Sequence, residues 1–307
     1  KESRPEPHGP WKPHRRPRQS NRYCRDQTRN YPGPGALKMS MTRLARRHPA
    51  PRLLALWRPV PVALLISLAL ACCREQRREA LTVFAASSLT EVLQAQATAF
   101  ESSRNSERIQ FYFSGSQVLR LQIENGAMAD LFLSADEEHA LQLKRSGFAQ
   151  SYRTIALNEL VVIVPVQSKL TAFKDLPQAS SIVLGVAGVP VGRYARQILK
   201  NANKIYRDDF EQQVLSHVVS EETNVRLVRT RVELGSAEAA LVYRTDAIGR
   251  EALRIIDIPA GANVQAACYG VRLKQSTLPD LAQAFLDHLT SQEGAAIFER
   301  HGFLKIR

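Results

Sequence analysis

From Leu81 onward the chain alternates short apolar runs with longer stretches whose apolar positions recur every three to four residues. Runs of the first kind read as buried strands and stretches of the second kind as amphipathic helices. The pattern predicts strands at Leu81–Ala86, Ile109–Phe113, Leu131–Ser134 and Leu160–Pro165, with helices at Leu89–Glu101, Gln117–Asn125 and Glu137–Ser146 between them. Pro165 marks an exit from the sheet, because proline cannot donate to a ladder. A second series follows: strand Ile182–Ala187, helix Val191–Asn201 opened by Pro190, helix Asn224–Leu234, strand Ala239–Tyr243 and a short strand Ile255–Ile258. Val264–Val271 is then long and apolar, like Leu160–Pro165, and helices at Pro279–Thr290 and Gln292–His301 close the chain. Strands alternating with helices of this length predict parallel βαβ units. Two similar apolar crossings around a middle segment predict one α/β lobe inserted in another and joined to it by two hinge strands. The lobes are expected at 80–163 with 266–307, and at 164–265.

Composition adds little until charge is resolved along the chain. The net charge is +13 over 307 residues. Residues 1–80 hold 18 of the 42 Lys and Arg and 5 of the 29 Asp and Glu, which leaves 24 of each sign in the remainder. A nucleic-acid binder needs its basic excess on the folded part; here that part is neutral, and nucleic acid is not an expected partner. The excess instead precedes an apolar run, Val60–Ala71, with Arg43, Arg46, Arg47, Arg52 and Arg58 before it and Cys72-Cys73 after it. A basic region, an apolar core of about a dozen residues and small residues at its end form an export signal, too short for a membrane span of about 20 residues. Residues 39–73 are therefore expected to direct export. Leu70-Ala71-Cys72-Cys73 also resembles a bacterial lipoprotein cleavage box, so lipid attachment at Cys72 or Cys73 is the alternative to simple cleavage. Residues 1–38, rich in Arg and Pro and without hydrophobic period, are expected to be disordered and to lie upstream of a start at Met39 or Met41. Past the signal only Cys268 remains, inside an apolar strand, which reads as a small buried hydrophobe.

Candidate chemistry sits on the turns. Ser87-Ser88 follows the first predicted strand, Ser114-Gly115-Ser116 the second, Pro190-Val191-Gly192 opens a helix, and Thr223-Asn224-Val225 opens another. Free amides and helix-dipole ends at such places favour anions. Ser88, Ser116 and Tyr243 add neutral hydroxyl donors, and no Lys or Arg need point inward. This donor set suits a small polyvalent oxyanion held by many short hydrogen bonds. Enzymatic readings have less support. His139, His217, His288 and His301 fall on predicted helices with no nucleophile nearby in sequence, and there is no phosphate loop or nucleophile elbow. Asp136, Glu137 and Glu138 read as a helix cap with an acidic first turn, and Arg226, Arg229 and Arg231 as a solvated helix face.

With these segments in order, VFAASSLT (Val83–Thr90), LQIENGAMADLFLSAD (Leu121–Asp136), PVGRYA (Pro190–Ala195), NVR (Asn224–Arg226), LVYRTDA (Leu241–Ala247) and AAIFERHGF (Ala295–Phe303), the chain resembles the periplasmic molybdate-binding proteins of ABC transporters. The resemblance covers about Leu81 to Lys305. It implies a type II periplasmic binding fold: two α/β lobes joined by two hinge strands, with the ligand in the interlobe cleft. It also implies a molybdate site, open to tungstate, in which Ser88 and Ser116 donate from one lobe, the Val191 and Val225 amides from the other, and Tyr243 through its phenol. No cofactor or directly ligated metal cation is implied; the partner is a membrane permease, and a monomer is the expected state. The sequence departs from the family at Ala127-Met128-Ala129, where Ala-Pro-Ala is usual, and at Val191, where alanine is common. The alternatives left open are another oxyanion such as sulfate, a small organic anion, or an enzyme or sensor on the same fold using Ser88 or Tyr243. Iron capture is disfavoured, since the cleft offers one tyrosine and no cluster of anionic oxygens.

Overall fold

The computed structural model describes residues 80–104 and 108–306. The expected leader at 1–38, the export signal at 39–73 and both Cys72 and Cys73 lie outside the described residues.

The apolar runs form strands. In chain order the first elements are β1 (Leu81–Ala86), α1 (Thr90–Ser103), β2 (Ile109–Ser114), α2 (Ser116–Glu124), β3 (Leu131–Ser134), α3 (Glu137–Arg145) and β4 (Arg153–Pro165). Then come β5 (Ile182–Gly185), α4 (Pro190–Asn203), α5 (Phe210–Ser216), β6 (Val218–Glu222), α6 (Val225–Glu233), β7 (Ala239–Tyr243) and α7 (Arg244–Ala247). The last elements are β8 (Leu253–Asp257), β9 (Gln265–Arg272), α8 (Pro279–Leu289) and α9 (Gln292–Arg300). The strands join in the order β2-β1-β3-β9-β4-β7-β5-β6, with β8 also on β4. Each end of this sheet is a parallel trio, with β1 between β2 and β3, and β5 between β6 and β7. The two trios are linked through the antiparallel pairs β3–β9, β9–β4 and β4–β7.

β4 belongs to both halves of the sheet. Arg153–Glu159 pairs with β9, whereas Leu160–Ile163 pairs with β7 and Val161–Pro165 with β8. Side-chain alternation fixes which face each strand presents. Leu81, Val83 and Ala85 enter one apolar cluster while Phe84 enters another, with Leu131 and Leu133 divided from Phe132 in the same way. Both faces of this half are thus covered by helices, as parallel sheets require.

The periodicity locates most elements to within a few residues, with four additions. A 3-10 segment at Phe173–Gln178, helix α5, strand β6 and the single turn α7 were not expected from the pattern. Strand β6 alternates half-buried and exposed positions at the sheet edge, so no apolar run announces it. Strand β4 also begins seven residues earlier than its apolar core; Arg153–Glu159 mixes buried Ile155, Ala156 and Asn158 with half-buried, mostly polar positions and so forms no apolar run. Among the described residues, no helix is long and apolar enough to cross a membrane.

Candidate ligand-binding site

In an open α/β sheet, ligands gather at the carboxyl ends of parallel strands, where the connections diverge to either side. Both central strands of the trios end in this way, β1 at Ala86 and β5 at Gly185. One small cavity, open to solvent on one side, lies outside these ends. Its wall includes Ser88, Ser116, Val191, Val225 and Tyr243, all five residues singled out from the sequence, and carries no charged side chain.

Each residue arrives there for a local reason. After β1 the chain makes a 3-10 turn, Ser87–Leu89, before α1 begins, and the Thr90 hydroxyl donates to the Ser87 carbonyl at 2.8 Å. The Ser88 amide and hydroxyl are left beside the cavity, with the residue 7% exposed. After β2, Gly115 forms the turn and Ser116 opens α2. The Ser116 oxygen accepts the Ala135 amide at 3.1 Å, which fixes the hydroxyl and leaves its proton free to donate elsewhere. A Cβ on Gly115 would stand 2.5 Å from the Thr223 carbonyl across the cavity, so glycine is what allows the two sides to approach.

The second side works through amides. Helix α4 begins with Pro190, whose fixed φ suits the first helical position. The next two amides, of Val191 and Gly192, lie in the first turn and have no acceptor within the helix; the bond from the Arg193 amide to the Val189 carbonyl, at 2.9 Å, is the first to close. Gly192 is needed for packing, since a Cβ there would lie 2.2 Å from the Val186 carbonyl. Helix α6 is capped by Asn224, whose side chain accepts the Leu227 amide at 3.1 Å. The Val225 amide precedes that bond and remains available.

Tyr243 ends β7, is 3% exposed, and packs edge-on against Tyr194 with ring centroids 6.4 Å apart. Its hydroxyl has no hydrogen-bond partner in the protein. Burial pushes the phenol well above its ordinary pKa, with nearby Tyr194, Cys268 and Asp136 adding to the effect, so Tyr243 stays a neutral donor. Burial likewise pushes the Cys268 thiol up to about 12, in keeping with a small buried side chain.

Charged groups stand around the cavity and are matched in pairs. Asp136 caps α3 by accepting the His139 amide at 3.3 Å, and its carboxylate also meets the Arg193 guanidinium from the opposite side. Arg226 reaches across to Glu91 and donates to the Ser87 carbonyl at 2.8 Å. The expectation of a solvated face for Arg226, Arg229 and Arg231 is corrected here. Arg231 is exposed, but Arg226 bridges the cleft, and Arg229 is 6% exposed, donating to the Asp246 carbonyl at 3.2 Å and lying 3.1 Å from Glu233. Asp136, His139 and Arg193 stand near the site although the sequence pattern gave them no role there; helix spacing on one segment does not reveal a partner about 50 residues away. No histidine or carboxylate hydrogen-bonds Ser88, Ser116 or Tyr243 among the described residues, and none of those residues form a cluster of three or more metal-binding side chains.

Residues 81–304 match the model of the bacterial extracellular solute-binding protein family. The chain is 30% identical over 236 residues to the molybdate-binding protein ModA of Escherichia coli, covering 73% of this chain and 88% of that protein. It is 29% identical over 235 residues to ModA of Mycobacterium tuberculosis, covering 75% and 86%. The solved periplasmic molybdate-binding protein of Azotobacter vinelandii superposes with a TM-score of 0.63 at 22% identity, covering 74% of this chain and all of that one, which assigns the type II periplasmic binding fold. The chain belongs to the bacterial extracellular solute-binding protein family, whose members are transport proteins and not enzymes.

Proposed function

We propose that this protein captures molybdate, and tungstate with it, outside the cytoplasm and delivers it to an ABC permease. Residues 80–163 and 266–307 act as one lobe and 164–265 as the other, closing over the ion. Ser88 and Ser116 donate from the first lobe, and Tyr243 with the amides of Val191 and Val225 from the second. The observation that carries the reading is Tyr243: a phenol 3% exposed, lining the cavity, whose hydroxyl has no partner in the protein. A buried donor left unmatched is expensive unless something else accepts from it. An oxyanion that also receives helix-start amides is the acceptor the geometry suits.

The neutral wall also supports a fully ionised tetraoxyanion over hydrogen phosphate. A protonated anion needs an acceptor for its own proton, and no carboxylate is among the lining residues. Relatives named for molybdate binding, at about 30% identity, favour that ion over sulfate. Ligand binding shifts the population toward the closed form in proportion to its preference for that form. The export signal, ending in simple cleavage or in lipid attachment at Cys72 or Cys73, would place the protein outside the cytoplasm within reach of its permease, and it would act there as a monomer.

The test is thermal unfolding of the purified protein with molybdate, tungstate, sulfate or phosphate. A ligand at 100 times its dissociation constant adds about 2.7 kcal/mol to the stability. A raised midpoint with molybdate and tungstate alone supports the reading. A shift with sulfate instead changes the substrate, and no shift with any of the four overturns it.

A further inference from the structure

Two contacts join the start of α3 to the start of α4 across the cavity. The Asp136 carboxylate, 3% exposed, meets the Arg193 guanidinium. Three residues on, the His139 ring donates from Nε2 to the Gly188 carbonyl at 3.2 Å. Gly188 and Arg193 stand on either side of Val191, three residues before it and two after. The pair therefore grips the turn that carries the cavity-lining Val191. We propose that Asp136 and His139 are positioning residues for ligand retention, a clasp that holds the Val191 amide over the bound oxyanion and loosens when His139 takes up a proton. The proposal rests on the oxyanion reading above and adds to it what sets the rate of release.

The chemistry of the ring supplies the proton sensitivity. The Gly188 carbonyl can only accept, so Nε2 carries the hydrogen in the clasped form. His139 is 4% exposed, and its Nδ1 is buried with no partner. A proton on Nδ1 would create a buried donor with nothing to receive it and a cation next to Arg193. Burial holds the imidazole below its ordinary pKa; Arg193 and Arg120 push the same way, while Asp136 and the Gly188 carbonyl oppose them. Arg120 is itself paired with Glu124. Once the lobes part, the ring meets water and recovers its ordinary affinity for protons. The clasped form thus binds fewer protons than the open one. Its advantage is complete above a pH of about 6.5 and declines as the pH falls from there toward the lower pKa of the clasped state.

The experiment follows release of radiolabelled molybdate from the full chain, chased with unlabelled molybdate, at pH 7.5 and 5.5. Three proteins are compared: wild type, His139→Gln and Asp136→Asn. Glutamine keeps an N–H for Gly188 and cannot titrate. Wild type should release several-fold faster at pH 5.5 than at 7.5, with a ceiling of about tenfold per pH unit for one proton. His139→Gln should be nearly flat between the two, and Asp136→Asn should release faster at both, with association rates unchanged in each. Parallel pH profiles for wild type and His139→Gln, or changes confined to association, would overturn the clasp. If wild type binds no molybdate, the oxyanion reading fails by itself. The melting midpoint of the ligand-free proteins from pH 8.0 to 5.5 then decides the clasp. A decline in wild type that His139→Gln lacks supports it, and coincident profiles overturn it.

Discussion

Replacing Tyr243 by phenylalanine should move stability and affinity in different directions. The hydroxyl has no partner in the protein, so its removal breaks no internal hydrogen bond. The ring keeps its packing on Tyr194 and its burial at the end of β7. Ligand-free stability should therefore hold to within about 1 kcal/mol or rise. Affinity should fall, because a hydrogen bond to a charged group contributes about 1.5–3 kcal/mol. That converts to a loss of roughly 10- to 160-fold in the dissociation constant. Calorimetric titration with molybdate reads the affinity, and urea unfolding without ligand reads the stability. With equal saturating molybdate, the midpoints of wild type and variant should separate by about 3–12 °C, since each kcal/mol moves a domain of this size by about 2–4 °C. The reasoning fails if the dissociation constant changes less than threefold. It fails equally if the ligand-free protein loses more than about 2 kcal/mol, since the hydroxyl would then have a structural partner.

Other substitutions separate the roles of backbone and space. Val225→Pro removes one amide at the first position of α6, where Asn224 is already extended (φ −159°, ψ 162°) and tolerates a following proline. Molybdate affinity measured by titration should drop at least tenfold, with the ligand-free midpoint within a few degrees of wild type. Gly115→Ala places a methyl 2.5 Å from the Thr223 carbonyl on the opposite side, so the cleft should close less fully. Small-angle scattering with molybdate should show a larger radius than wild type, and titration a weaker affinity. Asp246 is pushed up to about 7 by burial, with Arg229 only partly opposing, so between a pH of about 4 and 7 the folded protein keeps a proton that the unfolded chain has lost. Its contribution to stability falls as pH rises through that window, and Asp246→Asn should melt higher than wild type at pH 8 while matching it near pH 4.

Much of the site could be read from the chain because it is made of strand ends. An apolar run shows where a strand stops, and a serine or Pro-Val-Gly just beyond shows where a helix starts. Ser88, Ser116, Val191, Val225 and Tyr243 were found in this way, and all five line one cavity. What stayed hidden depends on partners distant in sequence. Arg229 lies in a helix rich in arginine, and charge alone suggested solvent. Its burial becomes intelligible only with the Asp246 carbonyl brought in by α7. Strand β6 was missed for a related reason: at a sheet edge its Val218-Val219-Ser220 alternation has little to pack against, and the hydrogen bonds to β5 define it more than its side chains do.

On the oxyanion reading proposed above, the same pairing of charges would let a dianion be held with no cation in the wall. Arg193 is matched by Asp136, Arg226 by Glu91, and Arg229 by Glu233, so the guanidiniums around the cavity present little net charge to its interior. Arg193 and Arg226 serve instead to bring the two sides together. Attraction for the ion is left to the first turns of α2, α4 and α6, whose amides carry the positive ends of helix dipoles, and to hydroxyls that cannot ionise near neutral pH. Charge paired across the cleft favours closure, while neutral donors select what closure encloses. In Asp136 the two tasks meet. Its carboxylate caps α3 and grips Arg193, two residues beyond the Val191 amide. Under the clasp proposed above, closure would be tied to the presentation of that amide, and the ion would be retained for as long as the two sides stay joined.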